Sequence, residues 1–472
     1  MTTPIIKNIS LFLICLGFAL QQIHAQGTGI NNFIKSANLK HANIGIKVVE
    51  IPSGKTVHSY NEQLSLCPAS CMKLVSSAAA LELLGADYTY KTTLFTDGTI
   101  NAQGVLQGDV YINGVGDPTL GSAFTGKNPN VFLEQWIADI RKAGIKSING
   151  KIIALDGLFG YEGVSPWWIW ADMGNYYASG TYGLSVFDNT YRLNLKSGKA
   201  GTRPEILNWE PASLKLKFEN NLKAAANNID SAYIYGQPFD LERRIFGTIP
   251  QNKTLFTIKG DIPDPGLFLA SYFTETLKKS GIAVSGKAST SRIEKHSPKG
   301  ERALSQTVSP DLREIIQVIN FRSNNHYSEH LFKKIGAENK IKELWKTKGL
   351  DTDALFMYDG SGLSPSNAVS VDFLTDLLVY MATKSKYSDA FYQSLPRAGK
   401  EGTVLSFLKK TSLEDISRMK SGSMEGIYSY SGYVDKNGKR YAFSVIVNKY
   451  NGSRSEVRGQ IEKLLISLFN NP

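Results

Sequence analysis

The two ends of this chain carry one kind of pattern and its middle carries another, and that division restricts the possible folds more than any other feature. Residues 44–50 alternate, with Ile44, Ile46 and Val48 on one face, and Pro52-Ser53-Gly54 turns the chain into a second strand over 56–60. After Pro68 the period becomes helical, with Leu74, Ala78, Leu81 and Leu84 on one stripe that ends at Gly85. Far along the sequence, 418–428 and 430–435 predict strands, and Asn437-Gly438 predicts a two-residue hairpin into 439–448. A last helix follows, with Ile461, Leu464, Leu465 and Leu468 on its apolar face. Ser309-Pro310 predicts the cap and first residue of another helix, carrying Leu312, Ile315, Ile316 and Ile319. Between residues 93 and 264 the text is different: short strands and turns rich in Gly and Tyr, one helix over 130–143 and a strand over 151–155. Strands and helices from both ends are therefore expected to share one α+β core, over 26–92 and 265–472. The segment 93–264 is expected as a β-rich insertion of two subdomains.

The chain has 472 residues, enough for about three domains. Its net charge is +11, but no run of five or more Lys/Arg occurs and acids are interspersed throughout. The basic excess reads as a solvated surface, which argues against a nucleic-acid partner. Lys7, the apolar stretch Ile9 to Leu20 and the small residue Ala25 describe a secretory signal over 1–25. That stretch falls short of the roughly 20 residues that a spanning helix needs. No other stretch is apolar enough to cross a membrane, and a periplasmic or extracellular location is expected. Ile14 stands before Cys15 where a lipoprotein signal needs a small residue, so a soluble export is expected. Two cysteines remain beyond it, Cys67 and Cys71; their spacing across a helix start leaves a bridge open.

Three short motifs carry chemistry. In Pro68-Ala69-Ser70-Cys71-Met72-Lys73, positions three apart at a helix start share a face, so Ser70 and Lys73 can touch. A serine hydroxyl needs a base, and a desolvated lysine can supply one because burial lowers its pKa. Ser323-Asn324-Asn325 follows the 310–320 helix, and Lys420-Ser421-Gly422-Ser423 lies on the strand before the hairpin. Singly, each is explained as well by a capping serine, a polar loop or an edge-strand lysine. In this order, and on a helix start, a loop and a strand, they match the S-x-x-K, S-D-N and K-T-G set of penicillin-binding proteins and serine β-lactamases.

Longer strings narrow the resemblance. Gly108-Asp109-Val110-Tyr111, Gly116–Leu120 (GDPTL), Pro166–Tyr177 (PWWIWADMGNYY), Asp359–Ser364 (DGSGLS) and Leu395–Thr403 (LPRAGKEGT) resemble penicillin-binding-protein-4-type D-alanyl-D-alanine carboxypeptidase/endopeptidases. The likeness covers essentially the whole mature chain, and the long interval between the first two motifs fits that family's insertion. It implies a transpeptidase-like fold, an antiparallel sheet flanked by helices. It implies a serine peptidase of peptidoglycan stem peptides that uses no cofactor or metal and is inhibited covalently by β-lactams. Ser70 would be the acylated nucleophile and Lys73 its base. Ser323 would relay the proton to the leaving D-alanine, and Asn325 would hold the substrate amide. Lys420 with Ser421 and Ser423 would meet the terminal carboxylate, and the N–H groups of Ser70 and Ser423 would form the oxyanion hole. Gly422 belongs to the same binding strand, and Met424 would line the pocket. Asp172 resembles the acid that meets the stem peptide's free amino end; a turn cap explains it equally well. Pro365 stands where relatives often place the arginine that binds the peptide's side-chain carboxylate.

Other chemistries fit less well. Cys67, Cys71, His326 and His330 could nominally form a zinc site, but Cys71 lies inside the nucleophile motif, and both histidines are expected on a helix surface. No G-x-S-x-G elbow supports a Ser-His-Asp hydrolase, and Gly114-Val115-Gly116 lacks the rest of a dinucleotide fingerprint. Trp167, Trp168 and Trp170 are expected in the core of the insertion rather than stacked on sugars. A β-lactamase or esterase on the same scaffold remains an alternative, as does a wall-binding protein without activity.

Overall fold

A computed structural model describes residues 29–295 and 297–470; the expected signal segment 1–25 lies outside them. Strands β1 (Asn43–Ile51) and β2 (Thr56–Tyr60) join β3 (Ser417–Met424), β4 (Ile427–Lys436) and β5 (Lys439–Asn448) in one antiparallel sheet. The order is β3-β4-β5-β1-β2, so the two ends of the chain meet along the β5–β1 ladder and β3 is an edge strand. The period-2 alternation serves both faces. Ile44, Ile46, Val48, Phe443, Val445 and Val447 pack on the C-terminal helix α5 (Arg454–Asn470) through Val457, Ile461, Leu464, Leu465 and Leu468. Ala442 and Ile446 point the other way, into a helical core that includes α1 (Met72–Leu84), α2 (Leu312–Arg322), α3 (Asn325–Lys334) and α4 (Val371–Thr383).

The apolar stripe expected on α1 understates its burial. Met72 through Leu81 are all buried, because the short side chains of Ser76, Ser77 and Ala78–Ala80 let neighbours approach on every side. Two boundaries differ from the sequence expectation. Helix α2 is capped by Asp311, whose side chain accepts from the Glu314 N–H, while the Ser309 hydroxyl accepts from Tyr90 N–H instead. The strand expected to run to 428 ends at Met424, and Glu425-Gly426 forms a tight turn into β4. The Asn437-Gly438 hairpin is present, with both residues at positive φ as a type I′ turn requires.

The other described residues build four further sheets. One five-stranded sheet runs 289–290, 152–155, 110–113, 91–96 and 302–308 in spatial order. Strands 190–196, 205–210 and 256–261 form a three-stranded sheet, and 217–220, 223–225, 231–235 and 242–250 form a four-stranded one. The expected helix lies at Val131–Lys142, with Phe132, Trp136 and Ile140 buried in a second core. That core extends past residue 264. Phe268, Leu269, Phe273 and Leu277 of the helix Pro265–Lys279 pack in it, and 302–308 pairs with 91–96. Residues 265–279 and 302–308 thus pack with the second core, because this helix turns its apolar face to it.

Candidate active site

Ser70 lies on a single 3₁₀ turn, Ala69–Cys71, that leads directly into α1. The turn is clamped from two sides by close backbone approach. A Cβ on Gly422 of β3 would overlap Ser429 Oγ and sit 2.5 Å from the Pro68 carbonyl and 2.9 Å from Ser70 N. A Cβ on Gly362, which is at φ +78°, would overlap the Ala69 carbonyl. Ser429 Oγ then ties the turn to β4 by donating to the Pro68 carbonyl at 2.6 Å.

Lys73 is fully buried one turn on, and its Nζ has three oxygen neighbours: Ser70 Oγ at 3.0 Å, Asn325 Oδ1 at 2.7 Å and the Ser361 carbonyl at 2.6 Å. Burial first, and then the nearby Lys420 charge, hold its pKa well below the usual lysine value; Asp359 and Glu329 act in the opposite sense. The neutral amine has two N–H bonds and one lone pair. Asn325 Oδ1 and the Ser361 carbonyl can only accept, so both hydrogens go to them. The lone pair is left facing the Ser70 hydroxyl, the arrangement a general base needs.

Ser323 occupies the bend between α2 and α3 at φ +53°. Its hydroxyl accepts from Lys420 Nζ at 3.0 Å, which leaves its own proton free to be donated. Lys420 also donates to the Ser421 carbonyl at 2.6 Å, and burial lowers its pKa to about 8. Asn324 caps α3 by accepting from Tyr327 N–H, which orients Asn325 inward; Asn325 Nδ2 donates to the Tyr177 carbonyl at 2.8 Å. The five expected chemical residues Ser70, Lys73, Ser323, Asn325 and Lys420 are thus brought together.

Strand β3 presents its free edge beside these residues. In the two-residue hairpin, the closing pair Met424–Ile427 and the pair Gly422–Ser429 bond to each other, so the N–H groups of Ser421 and Ser423 face away from β4, off the sheet edge. Ser421 Oγ bonds Thr403 Oγ1 at 2.8 Å, Ser423 is exposed, and Met424 is half-buried at the strand end. Asp172 is buried. Its carboxyl accepts from the Tyr177 hydroxyl at 3.2 Å, and burial raises its pKa. Pro365 is exposed.

Several contributors leave no mark of residue type in the sequence, because they act through backbone carbonyls, as at Ser361 and Tyr177. Others sit inside strings noted only for resemblance. Asp359 accepts from Gly362 N–H at 2.7 Å, Asn367 Nδ2 at 2.8 Å and Trp168 Nε1 at 2.8 Å, and so fixes the loop that holds the Ser361 carbonyl. Glu329 accepts from Ser361 N–H at 2.7 Å, with its pKa raised by burial and by Asp359.

Two expectations are corrected here. His326 and His330 are not surface residues: both are buried, against Ser179 Oγ and Ser185 Oγ respectively, because the inserted region covers that face of α3. Of the three tryptophans, only Trp168 is buried. Trp167 and Trp170 are 50% and 64% exposed, because the run lies on a surface turn. Cys67 and Cys71 are free thiols, and Cys71 Sγ lies against the Lys420 carbonyl. Among the described residues no cluster of three or more His, Cys, Asp or Glu is placed to hold a metal ion.

Comparison with known proteins places these features in a wider set. The family model described as D-Ala-D-Ala carboxypeptidase 3 (S13) matches residues 27–468. The D-alanyl-D-alanine carboxypeptidase of Actinomadura sp. (strain R39) is 27% identical over 447 residues, covering 90% of this chain and 81% of that protein. A D-alanyl-D-alanine carboxypeptidase of Haemophilus influenzae is 22% identical, with 87% and 86% covered. The crystal structure of penicillin-binding protein 4 from Haemophilus influenzae superimposes with a TM-score of 0.79 at 22% identity, covering 93% of this chain and 98% of that one. Its complex with a β-lactam superimposes at 0.75 and 20% identity, with the same coverage. With the family model spanning nearly every residue, this chain belongs to the D-Ala-D-Ala carboxypeptidase 3 (S13) family.

Proposed function

We propose that this serine carboxypeptidase removes D-alanine from peptidoglycan stem peptides through an acyl-enzyme on Ser70. The observation that carries the reading is the Lys73 amine, wedged between two obligate acceptors with its lone pair toward Ser70 Oγ. As Oγ attacks the penultimate D-alanine carbonyl, Lys73 takes its proton. The developing oxyanion lies at the helix start, between the Ser70 N–H and the Ser423 N–H on the sheet edge. Ser323 passes its proton to the leaving amine and takes up the proton that Lys73 removed from Ser70, so that Lys73 is neutral again and Lys420 keeps its charge. The leaving residue carries a free carboxylate, which suits the buried Lys420 cation and the Ser421 and Ser423 hydroxyls. Water then attacks the acyl-enzyme with Lys73 again as base. A β-lactam presents a carboxylate beside a reactive amide, so it would acylate Ser70 by the same route.

Asp172 would meet the stem peptide's amino end, and Met424 would line the pocket. Pro365 provides no cation for a side-chain carboxylate. The catalytic body would comprise residues up to 90 and from 309 onward. The insertion would run over 91–308 as two subdomains, one built on 91–155 with 265–308 and one on 190–261. Residues 1–25 would direct the chain to the cell envelope; among the described residues no helix is long and apolar enough to cross a membrane.

Incubation with defined muropeptides tests this reading. The protein should release D-alanine from a disaccharide pentapeptide, and Ser70→Ala should release none. Release by Ser70→Ala at the wild-type rate would overturn the assignment. Scoring cross-linked dimers in the same assay gives the endopeptidase share.

A further inference from the structure

The insertion carries a groove that the peptidase chemistry does not use. It has a volume of about 450 Å³, within the size range of small-ligand sites. Trp170 and Tyr235 form one wall, with ring centroids 4.4 Å apart and planes within 11°, and Tyr233 continues the stack at 6.5 Å and 10°. Trp170 is 64% exposed, so the stack with Tyr235 holds its ring in place while its outer face is left open to solvent. Exposed aromatic surface rimmed by polar residues is a mark of a binding site.

The rest of the lining is largely polar: Lys217, Glu219 and Arg244, and the run of Gln237, Asp240 and Glu242. Their loop is pinned by the fully buried Arg243, whose Nη1 donates to the carbonyls of Asp240 and Glu242 and whose Nη2 donates to Asp261. Gly236 lets that guanidinium pass beneath the loop, since a Cβ there would collide with it.

One turn couples the groove to the catalytic site. Trp170 and Met173 sit in the groove, Gly236 N–H donates to the Met173 carbonyl, and four residues on, the Tyr177 carbonyl receives Asn325 Nδ2. Seven residues separate Trp170 from Tyr177, so the two sites are less than about 25 Å apart. A stem of five residues reaches up to about 17 Å. The stem together with the glycan that carries it is of the same order as that upper bound.

We propose that this groove binds the amino-sugar glycan strand from which the stem peptide hangs, an inference that rests on the peptidase reading above. The axial C–H bonds of a pyranose ring present an apolar face that packs on an aromatic wall. Hydroxyl and acetamido groups at the ring rim need the acceptors and donors that Gln237, Asp240 and Glu242 supply. The groove thus recognises the part of peptidoglycan that the Ser70 site does not touch, and it favours wall-attached stems over free peptides.

The test pairs a binding assay with a kinetic one. Glycan strands stripped of their peptides by an amidase should bind the full-length protein and quench its tryptophan fluorescence. Tyr235→Ala should bind them about tenfold more weakly, and Trp170→Leu should act in the same direction. In kinetics, Tyr235→Ala should raise KM for the disaccharide pentapeptide about tenfold while leaving hydrolysis of the free pentapeptide unchanged. Equal binding of stripped strands by wild type and Tyr235→Ala, or no binding by wild type, would overturn the proposal. So would an equal effect of Tyr235→Ala on both substrates. Failure to release D-alanine from either substrate would instead sink the peptidase reading, and the binding assay would still decide the groove.

Discussion

At the scale of single residues, the account depends on two buried lysines in opposite protonation states. Lys73 must be neutral to accept the Ser70 proton, and its pKa is held down by burial and by Lys420. Lys420 must be charged to meet a carboxylate, and its pKa is lowered to about 8. The signs give a bell. As pH rises through the Lys73 pKa the base becomes available and kcat/KM climbs; as pH rises through about 8 the Lys420 cation is lost and kcat/KM falls. Lys420→Arg should push the alkaline limb upward, since a guanidinium stays charged, at some cost in rate from altered geometry. A pH profile of kcat/KM in the two proteins checks this, and an unmoved alkaline limb would assign that limb to another group. Ser70 and Lys73 were legible in the sequence only in combination with Ser323–Asn325 and Lys420–Ser423, since a serine three residues before a lysine is common. The Ser361 and Tyr177 carbonyls were not, since every residue carries that group and only the fold decides where it points.

At the scale of elements, the site is made by close approach of a strand edge to a helix start. Gly422 is the point of contact, with Pro68 and Ser70 backbone where a side chain would stand. Gly422→Ala should therefore push β3 off the 3₁₀ turn. A displacement on the order of 1 Å is worth about a hundredfold in rate. Overpacking of this kind costs about 1–3 kcal/mol of stability. Acylation kinetics and thermal melting read the two effects, and a variant acylated at the wild-type rate would refute the role given to this contact. The strands and helices around the site were mostly legible from period-2 and period-3.6 patterns. Their ends were less so: a capping choice between Ser309 and Asp311 and a turn at Glu425-Gly426 depend on partners distant in sequence. The histidines of α3 were misplaced for a similar reason, because the face they occupy is covered by residues 179–185, which no helical period reveals.

At the scale of the whole molecule, the inserted region reaches into the catalytic body at a few polar points. Trp168 Nε1 donates to Asp359 in the loop that holds the Ser361 carbonyl against Lys73. Trp168→Phe keeps most of the packing and deletes the donor, leaving a buried carboxylate one bond short. A cost of about 1–3 kcal/mol in stability is expected. Acylation should slow as well, because the loop loosens at the base. Melting and stopped-flow acylation by a β-lactam measure both, and an unchanged acylation rate would show that the loop is held without the insertion. The extent of the second core was hidden in the sequence, because an amphipathic helix such as 265–279 does not state which of two cores its apolar face will join. The most direct measurement of the central claim is the site of covalent capture. Full-length protein incubated with a fluorescent penicillin, then digested and analysed by mass spectrometry, should carry the label on the peptide containing Ser70, and Ser70→Ala should carry none. Equal labelling of the two proteins, or label on any other residue, would contradict it.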